Sequence, residues 1–481
     1  MEPALPIDLH SLPFDPADPK AALAQLPESS AVFALYGAEV HSEPYIGRTP
    51  NLRGRLERLL QPSLKHPRRL QLAGRVRRID YRLTGSEFES LLMQFSLLEG
   101  VFGPKALERM HLRAPAFIRY LGSNAYPRIT VTHRPSQREA AWSYGPFQSR
   151  AAAERFADEA LKLFLLRRCT DDLDPNPSHP GCVYSEMKMC LAPCYQGCSD
   201  ERYAEEAFAV EQFLATRAES RLVPLRAQRD QASSDLEFES AAALHAQVQR
   251  VEAVRSLAPE LVRPLNQLRA VILQASTVPG EVAVFVYENG RLRGPSPFST
   301  LGMRIQNEQS GSTSLFAQPM ALEPLPEATG IREAGAENGE QGSGISPGSP
   351  QLEQQEVSGP YPSTNSGQAF RRAETSQQNG GALAPEGGLE GNPPAPAKLA
   401  RGLLETRLEA ALAALAEPSD ASSATIRQGH LALLKRWYYR PEARRPGEIF
   451  FPDAEGRWPI KAILRGVGRV AARMMTPGNP A

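Results

Sequence analysis

Five cysteines, Cys169, Cys182, Cys190, Cys194 and Cys198, fall in one short stretch and nowhere else in the 481 residues. An odd, clustered set with no secretory signal ahead of it points to a metal or iron–sulfur site rather than to disulfides. Thiolates at such uneven intervals fold a loop around a compact centre, and tetrahedral zinc and a [4Fe–4S] cluster each accept four of them. A second concentration of chemistry lies upstream. Arg48, Arg53, Arg55, Arg58, Lys65, Arg68, Arg69, Arg75, Arg77, Arg78 and Arg82 crowd the segment from Tyr45 to Arg82, against Glu57 and Asp80 alone. The chain balances 54 basic against 54 acidic residues, but a phosphate backbone meets a local field rather than the chain total. The segment therefore reads as a phosphate-facing surface, with a solvated helix face as the plain alternative. Near the end, Trp437, Tyr438 and Tyr439 interleave with Lys435, Arg436, Arg440, Arg444 and Arg445. That pattern suits stacking on bases and phosphate contact, and equally an amphipathic helix packed on a hairpin.

The elements that must carry these groups follow from apolar spacing. Ala31 to Gly37 reads as a strand ending in a turn, with Glu43 to Gly47 as its hairpin partner. Leu52, Leu56, Leu59 and Leu60 recur at helical spacing behind a capping Asn51, Ile79 to Leu83 alternates like a strand, and Ser86 opens a second helix to Glu99. Arg128 to Thr132 is another short strand and Ser149 to Phe164 an amphipathic helix. Glu201 to Leu257 reads as two antiparallel helices with a break around Asp230 to Asp235. The expected fold class is α+β multidomain. Residues 1–28 form a flexible arm, 29–118 a small antiparallel sheet with helices, 119–200 a connector with the cysteines and 201–260 a helical hairpin. A small β segment follows at 261–303, then a Gly/Ser/Gln/Pro-rich disordered linker at 304–398 and a C-terminal α/β module at 399–481. No run approaches the ~20 apolar residues of a membrane span, so a cytoplasmic protein without a membrane partner is expected. Oligomeric state is not legible.

A strand ending in a short aromatic, a hairpin to Tyr45-Ile46-Gly47, then Arg48, Asn51, Leu52, Arg53 and Arg55 opening a helix together resemble the GIY-YIG nucleases, and among them the UvrC family of nucleotide excision repair. The resemblance places Tyr45 and Arg48 beside a scissile phosphate and Arg55 on the transition-state charge. Those types suit the task, since cations stabilise charge gathered at phosphorus and a phenol binds or activates the attacking water. Two positions depart from the family. Phe33 stands where it has its first tyrosine, and Gln94 where it has a metal-binding glutamate. Mg²⁺ or Mn²⁺ prefers charged oxygen ligands, so a neutral amide should hold it poorly.

The spacing C-x12-C-x7-C-x3-C, with Tyr144-Gly145-Pro146-Phe147 upstream, is similar to the family's cysteine segment. The resemblance makes Cys169, Cys182, Cys190 and Cys194 the ligands, favours an iron–sulfur cluster over zinc and leaves Cys198 as the spare. Asp235 to Leu244 looks like the UVR motif, which implies UvrB as a partner held through Leu236, Phe238, Glu239, Ala241 and Ala242. No acidic core of a second, ribonuclease H-like nuclease domain is found, so the likeness is to a shortened, Cho-like member. The implied activity is binding of damaged double-stranded DNA with UvrB and metal-assisted nicking of one strand. The alternative is a catalytically degenerate DNA-binding or regulatory subunit.

Overall fold

The computed structural model describes residues 8–39, 42–60, 72, 74–135, 137–301, 303, 396–416 and 423–475. Lys65, Arg68, Arg69 and the expected linker as far as residue 395 lie outside them. Along β2 (Ala31–Gly37), Ala31, Phe33 and Leu35 alternate with Val32 and Ala34, all buried, so the strand is covered on both faces. It pairs with β3 (Tyr45–Thr49) and β4 (Val76–Leu83), and β1 (His10–Pro13) completes an antiparallel sheet in the order β1-β4-β2-β3. The Phe33 face meets α1 (Pro19–Ala24) and α2 (Leu52–Leu60) through Leu23, Leu26, Leu52 and Leu56. The Val32 face meets α3 (Glu87–Phe102), which Ser86 caps by accepting the Glu89 N–H at 3.1 Å, and α4 (Lys105–Arg109) follows.

The expected flexible arm therefore needs correction from residue 8 onward. Its proline and aspartate content masks Phe14, Leu23 and Leu26, which close the underside of the sheet. Ser11 also donates a 2.7 Å hydrogen bond to the Asp80 carboxylate across the β1–β4 pair.

The expected connector is itself a sheet. β5 (Ala116–Tyr120), β6 (Ile129–Thr132), β7 (Ser143–Phe147) and β8 (Arg263–Pro264) stand in the order β6-β5-β7-β8, and β5 runs across the expected boundary at 118. α5 (Arg150–Leu161) and α6 (Val183–Glu186) precede three helices rather than two: α7 (Asp200–Ala215), α8 (Glu219–Ser234) and α9 (Phe238–Ser256). The extra break sits at Arg217 and Ala218, whose φ values of 51° and 71° are left-handed without a glycine to announce them.

β9 (Ala270–Ala275), β10 (Glu281–Glu288), β11 (Arg291–Ser299) and β12 (Glu448–Phe450) form a third antiparallel sheet, β11-β10-β9-β12. The segments expected as a separate β segment and C-terminal module thus share one sheet. Val271, Leu273, Val284 and Val286 face α10 (Pro396–Ala416) and α12 (Ile460–Met475). Ile272, Phe285 and Tyr287 face the other way, into a core with α3 and α11 (Ala424–Tyr438). The Phe88 ring meets Phe285 edge-on at 5.2 Å, a pairing that adds about 1 kcal/mol beyond burial.

Helix α11 lies antiparallel along α3. Ser423 is 3.5 Å from Glu99, Gly429 abuts Phe95, and Arg440, just beyond the helix, reaches Glu87. Gly429 permits this approach, because a Cβ there would stand 2.0 Å from the buried Phe95 ring. Gly85 plays the same part beside the end of β9, where a Cβ would be 2.4 Å from the Ser276 carbonyl carbon. Among the described residues no helix is long and apolar enough to cross a membrane.

Candidate functional site

β3 is the outer strand of the first sheet and carries two of the expected site residues. Tyr45 and Arg48 are three positions apart and so project to opposite faces. Tyr45 leans on the α2 side, its ring 6.1 Å from that of Phe33. Phe33 is fully buried, and its ring lies under Gly47, where a Cβ would stand 2.8 Å from it. Arg55 sits on α2 on the same side as Tyr45, half-buried, and its guanidinium makes no hydrogen bond or ion pair among the described residues. On the other face, Arg48 pairs with Glu87 of α3 at 3.4 Å. Gln94 lies seven residues beyond Glu87, about two turns, and so shares its side of the helix.

Glu87 also receives two N–H bonds from Arg440, at 2.6 and 2.9 Å. Those bonds, followed by the nearby charges of Arg440, Arg48 and Arg436, hold its carboxyl below the usual range against the opposing effect of partial burial. Glu89 is buried on the opposite side, accepting the Gly85 N–H at 2.9 Å, and burial pushes its carboxyl up. The carboxylate nearest to Gln94's face is therefore engaged by two guanidinium groups. A neutral amide at Gln94 and a Glu87 already committed to guanidinium groups two turns away do not fit a Mg²⁺ or Mn²⁺ site, which calls for free anionic oxygens. Among the described residues no group of three or more His, Cys, Asp or Glu side chains is arranged to hold a metal ion.

The remaining expected DNA contacts divide. Arg53 is turned inward, its guanidinium donating to the Leu26 and Ala24 carbonyls and to Glu28, so it ties α1 to α2 rather than facing solvent. Arg58 returns to the Gly54 carbonyl on its own helix. Arg75 and Arg77 are exposed, while Arg78 pairs with Asp80 at 3.2 Å and lies over the Tyr36 ring.

All five cysteines are free thiols. Cys182 precedes α6, and Cys194 lies in the tight turn Pro193–Tyr195 between two left-handed residues, Ala192 and Gln196. The loop is pinned where the Asn176 N–H donates to the Cys194 carbonyl at 2.9 Å and Leu191 to Leu165 at 3.0 Å. Burial pushes the Cys190 thiol up to about 11, opposed by the Ala192 N–H and reinforced by Cys169, Cys182 and Cys194. The Ala192 N–H lies 3.2 Å from the Cys190 sulfur and the Arg167 guanidinium 3.7 Å from that of Cys169, donors that suit thiolates, although the four side chains are not gathered as a closed ligand set among the described residues. Cys198 stands apart with Asp200 and Arg202.

At the tip joining α8 to α9, Leu236 and Phe238 are 70% and 67% exposed, although both are large and apolar. Leu236 adopts a left-handed φ of 62°. Glu239 and Ala242 are exposed beside them, and Ala241 is half-buried. The residue that sequence reasoning left unconnected is Arg440, whose partner Glu87 lies 353 positions away.

A family model described as UvrC/Cho excinuclease, middle domain, matches residues 117–213. Among curated proteins, UvrABC system protein C of Alcanivorax borkumensis is 31% identical over 238 residues, 50% of this chain and 39% of that protein. Its namesake in Ruminiclostridium cellulolyticum is 29% identical over 305 residues, 62% of this chain and 49% of its own. That of Pseudomonas protegens is 28% identical over 241 residues, 50% and 39%. The chain thus spans half or less of the length of these relatives. No solved structure matches it.

Proposed function

We propose that the chain is a UvrC-like nucleotide excision repair protein that binds damaged DNA with UvrB and nicks one strand, a reading supported by its likeness to the UvrC/Cho middle domain and to UvrABC system protein C. The observation that carries this reading is the edge strand β3. It offers a phosphate the Tyr45 phenol and the uncommitted Arg55 guanidinium from one face and Arg48 from the other. Tyr45 would orient the attacking water, Arg48 would hold a non-bridging oxygen, and Arg55 would oppose the charge that grows at phosphorus. Gln94 and the paired Glu87 do not suit a divalent cation.

The test is a nicking assay on a lesion-containing duplex with UvrB, run with Mg²⁺, with Mn²⁺ and with chelator. Wild type is expected to cleave, and Arg55→Ala to lose about 10²–10³ in rate, as for removal of one transition-state donor. If wild type is inert while Phe33→Tyr with Gln94→Glu cleaves, incision is excluded and the chain is a non-catalytic DNA-binding subunit.

The four-thiol loop would hold an iron–sulfur cluster or zinc, which when bound would cross-link the segment between α5 and α7. Exposure of Leu236 and Phe238 at a helical tip supports a docking role, since large apolar anchors dominate such contacts. Phe238→Ala is expected to weaken UvrB capture about tenfold or more, read by titration calorimetry. An unchanged affinity would remove the tip from the interface.

A further inference from the structure

We propose that Arg440 and Arg436, carried at the end of α11, complete with Arg48 a phosphate-binding clamp on the α3 face of the first sheet, with Glu87 orienting it. This rests on the DNA-binding reading above and extends it to a part of the chain outside the nuclease-like unit.

The geometry is specific. Arg440 grips Glu87 in a two-bond fork at 2.6 and 2.9 Å while Arg48 approaches the same carboxylate at 3.4 Å. A single carboxylate thus faces two guanidinium groups. Arg436, one turn back on α11, is exposed and close enough to act on Glu87 as well. The set carries a surplus of positive charge beside an edge strand. A guanidinium has five N–H donors, so a fork to Glu87 leaves Arg440 with donors to spare.

The side chains of Arg440, Glu87 and Arg48 retain 23%, 39% and 33% of their exposure. They are ordered yet open to an incoming anion. A nucleic-acid phosphate diester is the favoured occupant, because Arg48 is the group already assigned to a non-bridging phosphate oxygen at the edge strand β3. The close packing of α11 on α3, set by Gly429 against Phe95, fixes Arg440 relative to Arg48. Where Gln94 supplies no anion for a metal, the C-terminal helix brings fixed cations to the same side of α3 instead.

Anisotropy titrations of a short labelled DNA duplex against the full chain, over a series of salt concentrations, test the clamp. Arg440→Gln is expected to weaken binding about tenfold and to lower the slope of log K against log salt by about 0.9, the signature of one lost phosphate contact. Glu87→Gln, which removes the competing anion, is expected to tighten binding about threefold. A purely architectural ion pair makes another pattern: both variants melt at lower temperature and bind DNA with wild-type affinity and slope. That result would overturn the clamp. Failure of wild type to bind duplex would overturn the DNA reading itself, whereas loss of binding in Arg55→Ala with none in Arg440→Gln would overturn the clamp alone.

Discussion

Cys190→Ala and Cys194→Ala are each expected to abolish the proposed metal centre, while Cys198→Ser leaves it intact. In anaerobically purified protein, a bound cluster is expected to absorb at roughly 400 nm with about four irons per chain. Both signals should vanish in the two alanine variants. The contrast with Cys198 comes from placement: Cys190 feels Cys169, Cys182 and Cys194, whereas Cys198 feels Asp200 and Arg202. Between α5 and α7 the chain carries only the short α6 and the Pro193–Tyr195 turn, and a four-thiolate centre would add cross-links to the few contacts that pin it. Structural metal sites contribute folding energy outright, so the same variants are also expected to expose residues 165–198 to limited proteolysis. A colourless wild type holding about one zinc per chain would replace the cluster by a tetrahedral zinc site. A wild type without either metal would remove the centre.

Between pH 7 and pH 5 the folded state is expected to lose on the order of 2 kcal/mol through His430 alone. His430 lies on α11 between the Phe95 ring and β11, and its Nδ1 accepts the Leu292 N–H at 2.9 Å. Burial, with a smaller effect of Arg291, lowers its pKa to about 3. The unfolded imidazole has its ordinary value near 6.5, so below that pH the unfolded chain binds a proton that the folded chain refuses. The stabilisation is complete above about pH 6.5 and is lost as pH falls toward 3. Urea titrations of wild type and His430→Gln at pH 7, 6 and 5 isolate it from the carboxylates, because the amide can accept the same N–H without titrating. The difference between the two proteins should narrow steadily as the pH drops. A constant difference would mean that His430 is charged, or solvated, in the fold.

Both predictions depend on contacts that differ in how far they could be read from the chain. The cysteine set could be picked out because its four residues lie within 26 positions of one another. The strands and helices of the first sheet were legible for a similar reason: Leu52, Leu56, Leu59 and Leu60, or Val32 beside Phe33, record a periodicity of burial. Arg53 shows the limit of that reading. Its type and place in a basic run match a phosphate contact, yet its guanidinium is consumed by the carbonyls at the end of α1. Local charge density does not say which way a side chain turns. The break at Arg217 and Ala218 was hidden because it uses left-handed residues other than glycine.

From the sequence alone came the resemblance to a family, the four-cysteine set, the UVR-like stretch with Leu236 and Phe238, and the two departures at Phe33 and Gln94, all of them local patterns of residue type. Only the tertiary structure decided what stands around those positions. It buried Phe33 beneath Gly47, put Tyr45 and Arg48 on opposite faces of an edge strand, and joined β12 to β9 across the long gap between them. It also laid α11 along α3, so that Arg440 meets Glu87. Such pairings are set by which apolar faces find each other, Phe95 with Gly429 and Phe88 with Trp437. That choice is collective, and no window along the chain contains it.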